Sequence, residues 1–423
     1  MTDLGPSPLA AGDRNLSVAE AHAAIHAALV PIEGQEQVPL AQALGRVLAA
    51  DLISPIDVPA HDNSAMDGYA FGGDALRADA VTSLRSVGTV YAGSPFGGTV
   101  TPGQCLRIMT GAVMPAGCDT VVPQELCQVD GDRVTIQPGV MRPGENRRKQ
   151  GEDLACGGAA LLAGRVLRPA DLGLVASLGL QTVAVRRRLR VALFSTGNEI
   201  RTPGEALDPG CIYDSNRYSL IGALQRLGVE VVDLGLVRDD PAALRVTLTR
   251  AVSEADAVLT SGGVSVGDAD YTRQMLAEMG DVAFWKVAMR PGRPFAFGPL
   301  RRDGGQAAWL FALPGNPVAA LVTFYAFARE ALLVLGGARP EPLVTLSARS
   351  VSAIRKRPGR TEFQRGIVER SADGQWQVKL TGSQGAGVLR SLTEANALVV
   401  LGHEQGSVAA GEPVEVWLFD ALV

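Results

Sequence analysis

Residues 191–199 read Val-Ala-Leu-Phe-Ser-Thr-Gly-Asn-Glu, an apolar run that stops abruptly at small polar residues. A short run that is apolar at every position is typical of a strand buried on both faces of a parallel sheet. Further strands are predicted at 229–236, 257–260 and 309–313, separated by segments with helical periodicity. This alternation predicts a doubly wound α/β domain over residues 186–337, with helices on both faces of a parallel sheet.

The sequence on either side of this domain has a different texture. Short apolar runs separated by glycine and proline occupy residues 51–153 and again 338–423, which is the pattern of small β domains. Helical periodicity appears in 14–50 and returns in 154–185. We therefore expect a discontinuous helical linking domain with the first β domain inserted into it, in an α/β multidomain protein.

Composition excludes several classes of protein. Hydrophobic residues make up 47% of the chain and charged residues 20%, which excludes a disordered protein. The formal net charge of −5 gives no electrostatic reason to expect nucleic-acid binding. The apolar stretch 318–335 contains Arg329 and Glu330, so we expect a buried or interface helix and no membrane association. With no signal-peptide pattern at the N-terminus, a cytoplasmic protein is predicted.

Polar loops follow three of the predicted strands. Because the carboxyl ends of parallel strands share one edge of a sheet, these loops are expected to lie together, and paired glycines allow backbone N–H groups to close on an anion. The loop residues predicted to contact a ligand are Ser195, Thr196, Gly197, Ser261, Gly262, Gly263, Ser265, Gly267, Pro314 and Asn316. The absence of Walker and Gly-x-Gly-x-x-Gly patterns argues against P-loop NTPases and typical dinucleotide enzymes.

Charged residues are expected at the same edge. The carboxylates are Glu199, Asp214, Asp239 and Asp270. Acids around a phosphate cradle repel the phosphate unless a divalent cation intervenes, and oxygen ligands suit Mg²⁺ shared with substrate phosphates. Lys286, Arg290 and Arg293 add cations that bind oxyanions. Each feature alone has an ordinary explanation, a solvated loop for the basic segment and a helix N-cap for Asp240.

His22 and His26 stand four residues apart on a predicted helix, which is the spacing of a metal-binding pair. The residues between them are mostly alanine, and no glutamate base accompanies them. Ordinary surface or core histidines are therefore preferred over metal ligands.

Taken in order, these segments resemble the molybdenum insertases of molybdenum-cofactor synthesis, the molybdopterin molybdenumtransferase family, to which the E domain of gephyrin is related. The resemblance covers nearly the whole chain. The motifs that carry it lie at 62–69, 109–112, 144–153, 195–199, 214–216, 238–240, 261–271, 289–294, 313–318, 362–366 and 382–396. One departure is Arg290, where the family pattern has lysine, so that charge is kept but contact geometry changes.

The resemblance implies a Mg²⁺-dependent enzyme that takes adenylylated molybdopterin and molybdate, cleaves the pyrophosphate link, inserts molybdenum and releases AMP. It implies a homodimer of four-domain subunits, with a β-barrel as the fourth domain and an active cleft between the third domain of one subunit and the second of the other. The implied catalytic residues are Asp62, Thr110, Asp153, Glu199, Asp239 and Asp270, the last three being candidate Mg²⁺ ligands. The further implied substrate contacts are Asp214, Asn216, Lys286, Arg290, Pro291, Arg365 and Ser391, with Arg290, Arg365 and Ser391 assigned to molybdate.

Two other functions stay open. The α/β domain also resembles pterin-nucleotide adenylyltransferases, although those proteins have a single domain and lack the two β regions found here. A non-enzymatic scaffold, the role that gephyrin has for receptors, is the third possibility, although gephyrin uses an additional domain and a long linker for it. Other proteins of molybdenum-cofactor synthesis are possible partners.

Overall fold

The computed structural model describes residues 15–262, 269–341 and 343–422, without the side chains of 269–271. The first elements are β1 (Asn15–Leu16), α1 (Val18–Ala28), β2 (Gln35–Pro39) and β3 (Leu52–Ile53). Ser17 and Glu20 form a capping box that starts α1. Ala21 and Ile25, one helical turn apart, are buried in the core of the α/β domain. Helix α1 thus packs with the α/β domain, whereas the predicted domain division places it in the linking domain.

The second region is a β domain. Its strands are β4 (Asn63–Ser64), β5 (Gly68–Phe71), β6 (Thr82–Val90), β7 (Gln104–Ile108), β8 (Thr120–Pro123), β9 (Cys127–Asp130), β10 (Arg133–Ile136) and β11 (Arg147–Arg148). Six of them form a sheet in the order β8-β5-β7-β6-β10-β9. Tyr69 and Phe71 enter one core and Ala70 enters another, so β5 is buried on both faces.

The chain then returns to the linking region. Its elements here are β12 (Ala159–Leu161), α2 (Pro169–Ser177) and β13 (Thr182–Arg186). Strand β12 pairs antiparallel with β3, and β13 pairs antiparallel with β2. These two pairings join the segments that precede and follow the β domain.

The third region is the α/β domain. Its elements are β14 (Arg190–Thr196), β15 (Ile200–Arg201), β16 (Ile212–Tyr213), α3 (Ser215–Arg226), β17 (Glu230–Val237), α4 (Pro241–Glu254), β18 (Ala257–Ser261), α5 (Ala269–Met279), β19 (Ala283–Val287), β20 (Met289–Arg290), β21 (Pro294–Leu300), β22 (Ala308–Leu313), α6 (Pro317–Thr323) and α7 (Arg329–Leu335). The main sheet has the order β1-β19-β21-β22-β18-β14-β17.

Side chains on β14 and β18 alternate between the two faces of this sheet. Leu193 and Leu259 enter the core that contains α3, α6 and α7, whereas Phe194 and Val258 enter the core that contains α4 and α5. The prediction of helices on both faces is confirmed. Asp240 caps α4 as predicted, because its carboxylate accepts the Ala243 N–H at 2.7 Å.

The four predicted strands, β14, β17, β18 and β22, run parallel as predicted, but the sheet also contains an antiparallel strand that was not predicted. Strand β21 runs antiparallel to both neighbours, β19 and β22. Only residues 288–293 connect β19 to β21, and a parallel crossover needs a dozen residues or more. So short a connection returns the chain as an antiparallel neighbour, and the sheet is mixed.

Helices α6 and α7 are joined by a π-type turn (Phe324–Ala328) into one helix, Pro317–Leu335. Among the described residues this helix alone is long and apolar enough to cross a membrane. However, 67% of its most apolar 18 residues are buried inside the protein, where Phe324 and Phe327 join the α/β core. That environment is the one predicted from the charges of Arg329 and Glu330.

The C-terminal region is a closed five-stranded barrel. Its elements are β23 (Leu346–Ser350), β24 (Thr361–Arg370), β25 (Trp376–Leu380), α8 (Arg390–Thr393), β26 (Ala397–Leu401), β27 (Pro413–Leu418) and α9 (Phe419–Leu422). The order β24-β25-β23-β27-β26 closes through a β24–β26 pairing. Strand β20 of the α/β domain extends this sheet, since Arg290 pairs with Glu362 on β24. The loop that carries Arg290 is thereby attached to the barrel.

Candidate active site

A cleft of about 1430 Å³ lies at the carboxyl ends of β14, β17, β18 and β22, facing the 290–294 segment and the 384–389 segment of the barrel domain. Four neighbouring strands end at this edge, so their loops meet. The predicted site residues that line the cleft are Thr196, Gly197, Glu199, Asp214, Asn216, Asp239, Ser261, Gly262, Arg290, Pro291, Pro314 and Asn316.

Glycine is required where two of these loops touch. Gly262 has φ +91°, and a Cβ at this position would lie 2.6 Å from the backbone oxygen of Thr196. A side chain is thus excluded by both backbone conformation and contact. Gly315 lies in ordinary van der Waals contact with the same loop, since its Cβ would lie 3.8 Å from Gly262 Cα. The loops after β14, β18 and β22 therefore form one continuous wall.

Asn216, at the start of α3, ties two of these loops together. Its side-chain amide nitrogen donates to Ser261 Oγ and to the Gly315 carbonyl oxygen, both at 2.7 Å. A side-chain amide has two N–H donors, and both are used here. The predicted contact of Asn216 with substrate is thereby restricted to its side-chain oxygen.

Ser195 and Asp214 belong to a buried network beneath the cleft. Ser195 Oγ donates to Asp214 Oδ1 at 2.9 Å, and Arg217 Nε donates to Asp214 Oδ2 at 3.1 Å. Ser195 and Asp214 are both almost inaccessible to solvent. These bonds occupy the Ser195 hydroxyl and both Asp214 oxygens, so the two residues hold the start of α3 against β14.

The Thr196 hydroxyl differs from the hydrogen-bonded Ser195 hydroxyl. Its oxygen is buried and has no hydrogen-bond partner within the described residues. Thr196 also lines the cleft. Leaving a buried hydroxyl without a partner costs free energy, and a bound ligand can supply the missing hydrogen bond.

Two of the three predicted metal-binding carboxylates lie in the cleft. The Asp239 carboxylate accepts the Asn198 N–H at 3.2 Å, and the Asn198 side chain accepts the Asp239 N–H at 3.3 Å. This reciprocal pair fixes Asp239 beside the loop that carries Glu199. The Asp270 side chain lies outside the described residues, as do Gly263, Ser265 and Gly267.

The wall formed by the 290–294 segment is basic, with Arg290 exposed in the cleft. Arg365, on β24, is buried and is not among the residues that line the cleft, and its Nη2 donates to the Ser383 and Gly385 carbonyl oxygens at 3.3 and 3.0 Å. Burial, together with the charge of nearby Arg290, lowers the pKa of Arg365 to about 10. Two neighbouring guanidinium groups, one of them desolvated, repel each other unless an anion lies between them. This wall therefore favours an oxyanion.

Ser391 orients the buried guanidinium. Its hydroxyl accepts from Arg365 Nε at 3.0 Å and donates to the Val388 carbonyl at 2.6 Å. The donor of Ser391 is thus already engaged, which leaves it a positioning role beside the cleft. Lys286 lies on β19 and is not among the residues that line the cleft.

The remaining predicted residues lie on loops of the second domain. Asp62 accepts the Gln150 N–H at 2.8 Å and pairs with Arg147 at 3.1 Å. Thr110 donates its hydroxyl to Asp67 Oδ1 at 2.6 Å. Asp153 follows Gln150 by three residues and is exposed to solvent. None of the described residues that line the cleft comes from this domain of the same chain.

Sequence reasoning did not single out two residues in these motifs. Asp67 lies within the 62–69 motif, and hydrogen bonds from the Thr110 side chain and backbone lower its pKa. Gln384 lies within the 382–396 motif, lines the cleft and accepts the Arg365 N–H at 2.8 Å. The two motifs could be recognised in the sequence. Which side chain of each motif forms these hydrogen bonds depends on the fold.

Comparison with protein families gives three matches along the chain. Residues 16–179 match the family described as the MoeA N-terminal region (domain I and II). Residues 192–333 match a probable molybdopterin binding domain, and residues 347–419 match the MoeA C-terminal region (domain IV).

Individual relatives extend over nearly the whole chain. A molybdopterin molybdenumtransferase of Haemophilus influenzae is 41% identical over 92% of this chain and 95% of its own length. Molybdopterin molybdenumtransferase 2 of Mycobacterium tuberculosis is 37% identical over 90% and 94%. Among solved structures, the molybdopterin biosynthesis moeA protein from Pyrococcus horikoshii OT3 superposes with a TM-score of 0.82 at 29% identity, covering 96% of this chain and 100% of that one.

Proposed function

Since this chain belongs to the molybdopterin molybdenumtransferase family and is a transferase of molybdenum-cofactor biosynthesis, we propose that it inserts molybdenum from molybdate into adenylylated molybdopterin and releases AMP in the cytoplasm. The observation that carries this proposal is the cleft itself. Carboxylates, glycine-containing loops and Arg290 line it together, and the buried Arg365 lies near Arg290. Such a site suits a reaction whose difficulty is the assembly of several anions.

The nucleotide end of the substrate would lie along the glycine-containing wall. Gly197, Gly262 and Gly315 line this wall without side chains, so a ligand can come close to the backbone there, while the Gly197 and Gly262 N–H groups donate to the Val237 and Leu313 carbonyl oxygens. The unpartnered Thr196 hydroxyl supplies a hydrogen bond in the same place. This arrangement supports close approach of a pyrophosphate to the loops, with the Thr196 hydroxyl as a donor.

The carboxylate wall fits a magnesium ion. Glu199 and Asp239 line it, and hydrogen bonding with Asn198 holds Asp239 in place. Oxygen donors are the ligands that Mg²⁺ prefers, and a bound Mg²⁺ neutralises phosphate charge. These two residues, together with Asp270, would hold the ion.

Molybdate would bind at the basic wall. Arg290 and Arg365 carry two adjacent positive charges, and the molybdate dianion offsets their repulsion. Ser391 would act through Arg365 by fixing its guanidinium. The residues of this chain thus position and neutralise charge, and no covalent nucleophile is required.

Asp62, Thr110 and Asp153 would act across a homodimer. They lie on loops of the second domain that do not line the cleft of their own chain. A second subunit whose β domain caps the cleft would bring these residues to it and exclude water.

The reaction is tested by incubating the protein with adenylylated molybdopterin, Mg²⁺ and molybdate. We expect AMP, and a product that activates a molybdenum-free apoenzyme. If ATP-dependent adenylylation of molybdopterin appears instead, the chain is an adenylyltransferase and the insertase proposal is overturned. If neither product forms, both activities are excluded. For variants at Glu199, Glu205→Ala is a suitable control. Glu205 is an exposed carboxylate on the segment that follows Glu199, but it does not line the cleft.

A further inference from the structure

A second cluster of ligating side chains lies where α1 meets α7. His22 and His26 project from α1, and Glu330 lies at the beginning of α7. His22 Nε2 is 2.9 Å from Glu330 Oε2, and His26 Nε2 is 3.3 Å from Glu330 Oε1. The sequence separates the histidines from the glutamate by about three hundred residues, so only the fold reveals the third member.

The geometry is that of a compact metal-binding set. One ligand atom from each residue can be chosen so that all three lie within 4.8 Å of one another. Atoms bound to a single tetrahedral Zn²⁺ lie about 3.3 Å apart, given metal–ligand distances near 2.0 Å. Small side-chain rotations are therefore enough to bring the three atoms onto one ion.

His26 has the features of a ligand. Its Nε2 is buried and makes no hydrogen bond within the described residues, since the contact with Glu330 lacks hydrogen-bond geometry. A buried ring nitrogen without a hydrogen-bond partner can complete its interactions by binding a metal ion.

We propose that His22, His26 and Glu330 bind a divalent transition-metal ion of the zinc class, at a site separate from the cleft. Two imidazoles and a carboxylate suit Zn²⁺ and its neighbours in the periodic table, whereas Mg²⁺ prefers oxygen ligands alone. The side chains are 37%, 23% and 28% exposed, which leaves water access to a fourth position. The bound ion connects α1 to α7 and stabilises the packing of α1 on the α/β domain.

The test is titration of the metal-free full-length protein with Co²⁺ in excess Mg²⁺, which occupies carboxylate-only sites. We expect one equivalent of Co²⁺ to bind with visible d–d absorption, and Zn²⁺ to displace it and raise the apparent Tm. His26→Ala and Glu330→Gln should each weaken binding by more than about tenfold. His61→Ala is the control and should bind Co²⁺ as the parent protein does.

Three results would overturn the proposal. One is the absence of binding at micromolar Co²⁺ and Zn²⁺. Another is full metal binding by the Glu330→Gln protein. This substitution keeps the shape of the side chain, so it tests the proposal even if His26→Ala does not fold. The third is thiolate-to-cobalt charge-transfer absorption, which would place the metal at a cysteine such as the exposed Cys156.

Discussion

The cleft and the loops of the second domain carry the same kinds of polar residue but differ in how those residues are satisfied. In the cleft, the Thr196 hydroxyl has no described partner, and the exposed Arg290 lies near the buried Arg365 guanidinium. In the second domain, Asp62, Asp67 and Thr110 are all engaged by neighbours within the same loops. The cleft therefore keeps a buried donor that a ligand can satisfy, whereas Asp62, Asp67 and Thr110 satisfy one another and their neighbours within the second domain.

The largest expected effect tests whether the two regions form one site. Glu199→Gln and Asp62→Asn should each lower turnover by about 10²–10³-fold, because each removes a charge aimed at the reacting groups. Equal amounts of the two inactive proteins, unfolded and refolded together, should regain about one quarter of the parent activity, since half of the dimers are mixed and have one intact site. AMP release is the readout.

If the mixed sample is as inactive as each variant alone, the two residues do not act across a dimer. Refolded parent protein controls for losses during refolding. Activity of Asp62→Asn close to that of the parent protein would remove the second domain from the site altogether.

A second prediction concerns the contact between loops in the cleft. Gly262→Ala places a Cβ 2.6 Å from the Thr196 oxygen, so the wall must shift, and we expect kcat/KM to fall by about 10²-fold. Gly235→Ala is the matched control. Gly235 also has positive φ, at +76°, but nothing lies within 4 Å of its Cβ position. The control should lose about 1–2 kcal/mol of stability and keep its activity. Equal activity losses would indicate a general backbone effect.

The third prediction uses the pH dependence of the basic wall. The pKa of Arg365 lies at about 10, below that of an ordinary arginine, so its charge is present at neutral pH and is lost as pH rises through that value. The KM for molybdate should therefore rise above about pH 10, where Arg365 becomes neutral. The stability of the fold should change in the opposite direction. Below pH 10 the buried Arg365 charge destabilises the folded state, and loss of that charge at higher pH removes the destabilisation. In Arg365→Met, the KM for molybdate should be high at every pH. If KM still rises with pH in this variant, a group other than Arg365 causes the rise.

The sequence was sufficient for the features that depend on local pattern. Alternating strands and helices predicted the α/β domain, and Asp240 with Pro241 predicted the start of α4. Three polar loops were predicted to share an edge, and the residues at 196–199, 261–262 and 314–316 do so. These features follow from periodicity, capping and the rule that parallel strands end together.

The rest depends on contacts between distant parts of the chain. Strand β21 was not predicted, and its antiparallel direction follows from the short connection after β19. Arg290 comes near Arg365 because β20 pairs with β24 of another domain. Glu330 reaches the two histidines only after α1 packs against the long helix. Spacing along one sequence contains no information about such pairs.

The smallest expected effect lies in the second domain and measures how firmly its loops are held. Thr110→Val removes the hydroxyl donor to Asp67 and leaves the backbone donor, so the pKa of Asp67 should rise toward its ordinary value. A carboxylate with a lowered pKa stabilises the fold above its unfolded-state pKa, and this contribution is lost as pH falls through the folded-state value. The variant should therefore resist acid slightly less than the parent protein. NMR titration of the Asp67 carboxyl carbon, assigned with Asp67→Asn, measures the shift. An unchanged pKa would mean that the backbone bond alone holds Asp67, and the shape of these loops would then not depend on the Thr110 side chain.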